Sequence, residues 1–437
     1  MDLLASEVAR ATGGTLIGPD VVVRGVAIDS RLVAGGELFV AVMGVRDGHD
    51  FLDAARAAGA AAFLTARAPH ETTGVTTIVV DDTSTALSAV GRAARDRLPD
   101  LVVGITGSVG KTSTKDLLAS ALGRRLRTAA SPRSFNNELG VPLTLANAPG
   151  DTEAVVVEMG ARGRGHIASL CAVARPTVGV VTTVGLAHTE LFGTVEEVAA
   201  AKSELVESLP ASGTAVLNAG VPLVAAMAGR TGATVLTYGI GCGEVQAEVL
   251  GMDGVLRPCI DLRTPWGSAT FWLPVRGEHQ AANAVAAAAA ALACGVSLTH
   301  VVRGLGQARL SEWRMQLDQA PSGAWVLNDA YNANPVSTEA ALRSLAKLPV
   351  QRRTAVLGIM AELGEVGPAE HRRLGELAAE LGLRVIAVAA PDYGGEQAAD
   401  PEDAIRLLGP IGEGDGVLVK GSRAAGLEGL AGRLASG

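Results

Sequence analysis

The chain has few cysteines, very few lysines, no long apolar run and no basic surplus, and each shortage narrows its chemistry. Its four cysteines, Cys171, Cys242, Cys259 and Cys294, are scattered without metal-ligand spacing. That excludes a disulfide scaffold and a zinc module and fits a reducing compartment. No stretch reaches the roughly 20 strongly apolar residues that span a bilayer; the nearest approach, 281–296, is mostly alanine and carries Asn283. The first residues, Met1-Asp-Leu-Leu-Ala-Ser-Glu, lack a basic region followed by an apolar core, so a cytoplasmic protein is expected. A net charge of −8 without a long basic run argues against nucleic acid as a partner, while a local basic pocket for phosphates stays compatible with it.

Lysine is the most telling shortage. Of 37 basic residues only five are lysine: Lys111, Lys115, Lys202, Lys347 and Lys420. A chain so biased toward arginine keeps lysine where a compact, deprotonatable amine matters more than a planar fork. Lys347, after a helical pattern, reads as a solvated helix end, and Lys115 is expected on the exposed face of its helix.

What is present begins with Gly104-Ile-Thr-Gly-Ser-Val-Gly-Lys-Thr112, a glycine-bearing loop between an apolar run and a helical segment. Such a loop turns backbone N–H groups toward phosphate oxygens. Lys111 then supplies a point charge and the Thr112 hydroxyl reaches a magnesium ion, so Thr106, Gly107, Ser108, Val109, Gly110, Lys111, Thr112 and Ser113 are candidate nucleoside-triphosphate contacts. Ile105 stands where the usual pattern has its first glycine.

At 437 residues with 48% hydrophobic content the chain is long enough for about three domains. The alternation of short β-like runs with helical stretches predicts an α/β protein divided at 1–82, 83–310 and 311–437. The first part is a small α/β domain. The second is a doubly wound sheet with strands at 101–106, 154–158, 178–184 and 214–218, and the third a smaller Rossmann-like unit. No repeat, coiled coil or low-complexity linker interrupts them.

Several polar residues fall at the carboxyl ends of apolar strands, where doubly wound sheets bind ligands. Glu158 ends one such strand and suits a magnesium ion; a surface acid is the plainer alternative. His188 follows another, in Ala187-His-Thr-Glu190. Lys202, in a helical run with acidic neighbours, reads on its own as a solvated charge. His279 and Asn283, four residues apart, share one face of a helix start, either flanking an adenine or capping the helix. Asp329 follows a strand in Asn328-Asp-Ala-Tyr-Asn-Ala-Asn-Pro335.

Together, Thr106-Gly-Ser-Val-Gly-Lys-Thr, Ser134-Phe-Asn-Asn-Glu-Leu-Gly-Val-Pro-Leu-Thr, Glu158-Met-Gly, Ala187-His-Thr-Glu, Lys202, Gly277-Glu-His and the Asn328 to Pro335 run closely resemble the Mur ligase family, over essentially the whole chain. Asp29-Ser-Arg31, Gly48-His-Asp50, Phe135-Asn-Asn-Glu-Leu-Gly-Val-Pro and Tyr331-Asn-Ala-Asn-Pro look like its D-alanyl-D-alanine-adding branch. The resemblance implies an N-terminal uridine-binding domain, a central P-loop ATPase domain and a C-terminal Rossmann-like domain. Their joint activity would be an ATP-dependent amide ligase that adds D-alanyl-D-alanine to UDP-N-acetylmuramoyl-tripeptide.

The same resemblance implies the roles. Lys111 holds the outer phosphates; Thr112 and Glu158 serve one magnesium ion, His188 and a carbamylated Lys202 a second. His279, Asn283, Arg314 and Asp329 contact the nucleotide, Ser30 and Arg31 the uridine diphosphate end, and Asn136 and Asn137 the muramoyl substrate. Asn332, Asn334, Lys420 and Arg423 are candidates for the incoming dipeptide. A monomer that closes about a hinge is expected. Gln280 stands where the family often has asparagine, and Gly220 with Val221 where it often has acids. A related ligase acting on another carboxylate and a non-catalytic nucleotide-binding protein are the alternatives; the first loses ground to Asp29-Ser-Arg31, the second to the intact set Lys111, Thr112, Glu158, His188 and Lys202.

Overall fold

The computed structural model describes residues 2–68, 74–185 and 192–436. Three sheets of five, nine and six strands organise them, beside a two-stranded ribbon of Asp2–Leu4 and Val22–Arg24. The run 21–28 divides between that ribbon and the edge strand Val26–Ala27. The Asn147 amide accounts for the division: it accepts from Val26 N at 2.8 Å and donates to Val26 O at 2.9 Å, standing in for a neighbouring strand.

In the nine-stranded sheet Val102–Thr106 lies between Ala154–Glu158 and Val178–Val181, all parallel. These strands are buried on both faces and so read as continuous valine-rich runs. Their parallel register brings Thr106, Glu158 and Val181 to one sheet edge, which is why the loops that follow converge. The sheet continues beyond Thr234–Ile240, and its pairing changes there. Val245–Met252, Pro258–Thr264 and Gly267–Trp272 extend the sheet, and their mutual pairings are antiparallel. The outermost strand alternates exposed and half-buried positions, as a sheet covered on one side does.

The helix Gln280–Ala293 packs against the helix Lys111–Leu122 and against strands Thr234–Ile240 and Val245–Met252. Apart from Val285, its residues 284–291 are all buried alanines, which let three layers approach closely at little side-chain entropy. Core continuity is uneven along the chain. One apolar cluster runs from Leu38 and Leu64 in the five-stranded sheet through Leu87 to Val102 and Val155 in the nine-stranded one. The six-stranded sheet packs on clusters of its own, with Leu256 and the half-buried Met252 and Val255 as the contribution from the central sheet. No helix among the described residues is long and apolar enough to cross a membrane.

Replacing Ala288, fully buried in this helix, with leucine should destabilise the fold by about 1–3 kcal/mol through overpacking. A lowered denaturant midpoint with an unchanged slope is the expected readout; an unchanged midpoint would show that the layers can part without cost.

Candidate active site

The phosphate loop is held from the side by the segment after Val178–Val181. Ser108 N donates to Thr183 O at 2.8 Å, Val109 N to Thr183 Oγ1 at 3.0 Å, and Thr182 Oγ1 to Val109 O at 2.6 Å. Two positions need glycine. Gly107 has φ +147° and an added Cβ would sit 1.9 Å from Thr182 Oγ1; Gly110 has φ +87° and a Cβ would sit 2.3 Å from Asn283 Oδ1. The helix Lys111–Leu122 starts there, and its first-turn amides have no intrahelical acceptors, which makes that end an anion site. Ile105 is fully buried strand core, and the loop's first tight turn falls at Gly107 instead.

Around this end lies a cavity of about 540 Å³, formed jointly by the nine-stranded and six-stranded sheets. It gathers residues 108–113, Asn136, Glu158, His279 and Asn283 from one side with Arg314, Asp329, Asn332, Asn334, Lys420 and Arg423 from the other. Asn137, Lys202, Ser30 and Arg31 do not line it. Asn137 Oδ1 accepts from Gly140 N at 2.9 Å instead. Ser30 and Arg31 sit in a turn of the N-terminal unit, Arg31 exposed and paired with Asp29 at 2.6 Å. His188 falls outside the described residues.

Charge is concentrated and largely dry here. Lys111 Nζ donates to Gly107 O at 2.7 Å, and burial lowers its pKa, opposed by Glu158 and reinforced by Arg314. Lys202 is buried as well, and desolvation with Lys111 nearby pulls its amine down to about 7. Burial also lowers His279, favouring the neutral ring. Glu158 Oε1 accepts from Asn136 Nδ2 at 2.8 Å, whereas Oε2 is buried without a partner. Thr106 Oγ1 and Arg314 Nε are likewise buried and unpartnered. Two of these atoms, on Glu158 and Arg314, line the cleft, as a site built for a polar, charged ligand shows.

The six-stranded unit reaches across. Arg314 Nη2 donates to Thr112 Oγ1 at 2.9 Å, the guanidinium carbon lies 4.2 Å from the Tyr331 ring centre, and the Tyr331 hydroxyl meets Ser134 Oγ. Ser311 bonds Asp116 through its N–H at 2.7 Å and its hydroxyl at 2.8 Å. Lys420 is buried and paired with Asp329 at 2.5 Å, and Asn334 caps the helix Pro335–Lys347 through Ser337 N at 2.9 Å. Arg423 stacks on Trp313 at 4.6 Å and lies 3.2 Å from Glu428.

The reading of one lysine changes and that of another holds. Lys115 is not on an exposed face: only 2% of its side chain is accessible, because backbone carbonyls from elsewhere surround it. Lys347 is an exposed helix end, and it meets Glu278 of the central unit. Sequence reasoning gave no site role to Ser134, Thr182, Thr183, Tyr331 or Trp313. For Tyr331 and Ser134 the signal was present, since both belong to motif strings; the two threonines were hidden inside the expected strand 178–184, which ends at Val181.

A phosphate loop at the edge of a doubly wound sheet, roofed by a second Rossmann-like unit that contributes an arginine and an Asp–Lys pair, defines a nucleotide-dependent enzyme. The chain belongs to the Mur ligase family. Its residues 22–99 match the Mur ligase family catalytic domain, 105–291 the Mur ligase middle domain and 313–423 the glutamate ligase domain. It is 39% identical to the UDP-N-acetylmuramoyl-tripeptide–D-alanyl-D-alanine ligase of Mycobacterium tuberculosis, across 99% of this chain and 98% of that one. The fold superposes on MurF from Acinetobacter baumannii with a TM-score of 0.88, at 30% identity, covering 100% of this chain and 99% of that one. MurF ligase from Thermotoga maritima, solved in complex with ADP, matches with a TM-score of 0.82 at 28% identity, covering 94% and 97%.

Alanine at position 110 would carry both an unfavourable φ and the clash with Asn283. Gly110→Ala should weaken ADP binding by about 1–3 kcal/mol, roughly 5- to 150-fold, with the fold retained. Calorimetric titration checks this, and wild-type affinity would show that the loop's left-handed turn is dispensable.

Proposed function

We propose that the chain is an ATP-dependent, ADP-forming amide ligase that joins D-alanyl-D-alanine to UDP-N-acetylmuramoyl-tripeptide, producing the UDP-linked pentapeptide used in peptidoglycan synthesis. The observation that carries this reading is the cleft itself: phosphate loop, orphaned Glu158 oxygen and Arg314 meet there, in a chain that matches ligases of this name from end to end. Such a ligase acts in the cytoplasm, and we take it to act as a monomer.

The tripeptide carboxylate is a poor acylating agent. Transfer of the γ-phosphoryl group to it gives an acyl phosphate; the dipeptide amine attacks that carbonyl, and the tetrahedral intermediate expels phosphate. The protein's contribution is positioning and charge neutralisation. Lys111 and the first-turn amides hold the outer phosphates. His279 and Asn283 border the base, beside an apolar cavity of about 550 Å³ lined by Val249, Met252 and Ala282 that suits a purine ring. Arg314, now on Thr112, turns to phosphate when nucleotide arrives, and Lys420 keeps Asp329 in place. Asn136 and Asn137 belong to the loop along the muramoyl substrate. Ser30 and Arg31, in the N-terminal unit at 1–82, take the uridine diphosphate. Asn332 and Arg423 are left to receive the dipeptide, with Asn334 holding the helix behind them.

The buried, partnerless Glu158 Oε2, in the same cavity as Thr112, fits a magnesium ion, which those two residues would hold. When bound, magnesium neutralises phosphate charge. A second ion would be held by His188 and Lys202. Lys202 fits conversion to a carbamate, because a buried amine titrating near 7 is largely neutral at physiological pH and free to take up carbon dioxide. The shared core of the first two units and the separate core of the third support hinge closure of 311–437 onto the rest.

Phosphate release from ATP should require UDP-N-acetylmuramoyl-tripeptide together with D-alanyl-D-alanine, and mass analysis should give the pentapeptide. ATP binding without turnover on any UDP-muramoyl peptide would move the chain to another carboxylate. Lys202→Ala and Lys202→Arg should each abolish ligation, with Lys202→Ala partly restored by a short-chain carboxylate; retained activity in either removes the carbamate. The depressed pKa also fixes a sign: below about pH 7 the Lys202 amine protonates and cannot hold a carbamate. Stimulation of activity by added bicarbonate should therefore grow as pH falls through about 7, and its absence at every pH would contradict the assignment.

A further inference from the structure

Lys115, like the exposed Lys347, has no part in the ligation chemistry, yet it is among the largest fully buried side chains. It lies one helical turn beyond Lys111 on the helix that opens from the phosphate loop. A buried ammonium costs several kcal/mol unless its donors are matched. Here the charge is met by two carbonyls and a carboxylate: Nζ donates to Ser131 O at 2.7 Å and to Arg133 O at 2.6 Å, and pairs with Asp116 Oδ1 at 2.9 Å.

The acceptors are not arbitrary. Ser131 and Arg133 open the loop 131–136, in which Arg133 holds a left-handed φ of +49°. Ser131 Oγ accepts from Glu158 N at 3.2 Å, Ser134 Oγ meets Tyr331 of the six-stranded unit, and Asn136 Nδ2 donates to Glu158 Oε1 at 2.8 Å. The neighbouring Asp116 uses its other oxygen on both the N–H and the hydroxyl of Ser311, two residues before Trp313 and three before Arg314. Adjacent side chains on one helix thus fasten the phosphate loop's helix to the loop that orients Glu158 and to the linker that delivers Arg314.

We infer that Lys115 and Asp116 form a positioning pair that couples the nucleotide-binding helix to the acceptor-side loop 131–136 and to the linker into the C-terminal unit. Neither touches the reacting atoms. An arginine at 115 would present a planar fork to carbonyls that now converge on one compact nitrogen, which is a reason for lysine in a chain that otherwise prefers arginine. The inference rests on the proposed ligase activity only for what loop 131–136 contacts.

The test compares full-length wild type with Lys115→Met, Lys115→Arg and Asp116→Ala by amide hydrogen exchange, ADP titration and steady-state kinetics. In Lys115→Met, exchange in 131–136 should rise at least about tenfold while the helix Lys111–Leu122 stays protected. The KM for UDP-tripeptide should rise on the order of tenfold or more, with ADP affinity kept within about threefold. Lys115→Arg should recover only part of this. Asp116→Ala should raise exchange around residue 311 and lower kcat, leaving exchange in 131–136 closer to wild type; it decides the matter if Lys115→Met fails to fold. Equal loss of ADP affinity and substrate KM, uniform acceleration of exchange across the central sheet, or wild-type behaviour in both arms would overturn the coupling. Absence of turnover by the wild type itself would instead defeat the ligase reading, and the exchange data alone would then judge the pair.

Discussion

A half-buried cation beside a buried carboxylate, Lys111 and Glu158, sets the terms for everything around it. Lys111 is half-buried at the cleft, its charge disfavoured by desolvation and by Arg314 and favoured by Glu158. Lys202, its amine lowered to about 7, avoids the same conflict by tending toward neutrality. A cluster of this kind is poorly compensated by its own members: one Glu158 oxygen and the Arg314 Nε have no partner, and Lys111 leans on the carbonyls of its own loop. Polyphosphate with a divalent ion supplies the missing charges of both signs. The site is therefore arranged for an interaction that the polypeptide alone does not complete, as expected where transition-state charge has to be met by preorganised groups.

That constraint explains the architecture. Only the carboxyl edge of a parallel sheet brings three loops and a helix N-terminus to one place, so the phosphate loop, Glu158 and the 182–183 segment come from three adjacent strands. The alanine-filled helix Gln280–Ala293 lets the second wall, His279 and Asn283, approach the loop closely enough that Gly110 admits no Cβ. The third wall comes from a unit with its own core, tied across the cleft through a few polar contacts: Arg314 to Thr112, Tyr331 to Ser134, Ser311 to Asp116. Contacts of this kind exchange readily for contacts to a ligand, whereas the apolar continuity between the first two sheets does not.

Much of this was legible in the amino-acid order. Val102–Thr106, Ala154–Glu158 and Thr214–Asn218 are buried on both faces, so they stand out as apolar runs whose ends mark the site edge. Gly110, His279, Asn283 and Asp329 belong to strings whose spacing survives in space as one cavity, which Arg314 also lines. The failures have physical causes. Lys115 carries the helical spacing of a solvated residue, and nothing local announces the carbonyls of Ser131 and Arg133 that bury it. The strands from 245 to 272 alternate or half-expose their side chains and lack the apolar density that betrayed the parallel ones. Asn137 shares a motif with Asn136 but spends its side chain on the following helix. Lys420 and Asn334 read as free donors, although one is paired with Asp329 and the other is a helix cap.

The most direct test of the central claim, that these unsatisfied charges are completed by nucleotide and magnesium, is a crystal structure with a non-hydrolysable ATP analogue and magnesium chloride. The account predicts phosphates on the first turn of the helix Lys111–Leu122, the ion on Thr112 and Glu158, and Arg314 moved from the Thr112 hydroxyl to phosphate. Nucleotide bound elsewhere, or in this cavity with Glu158 Oε2 still without a partner and Arg314 still on Thr112, would contradict it.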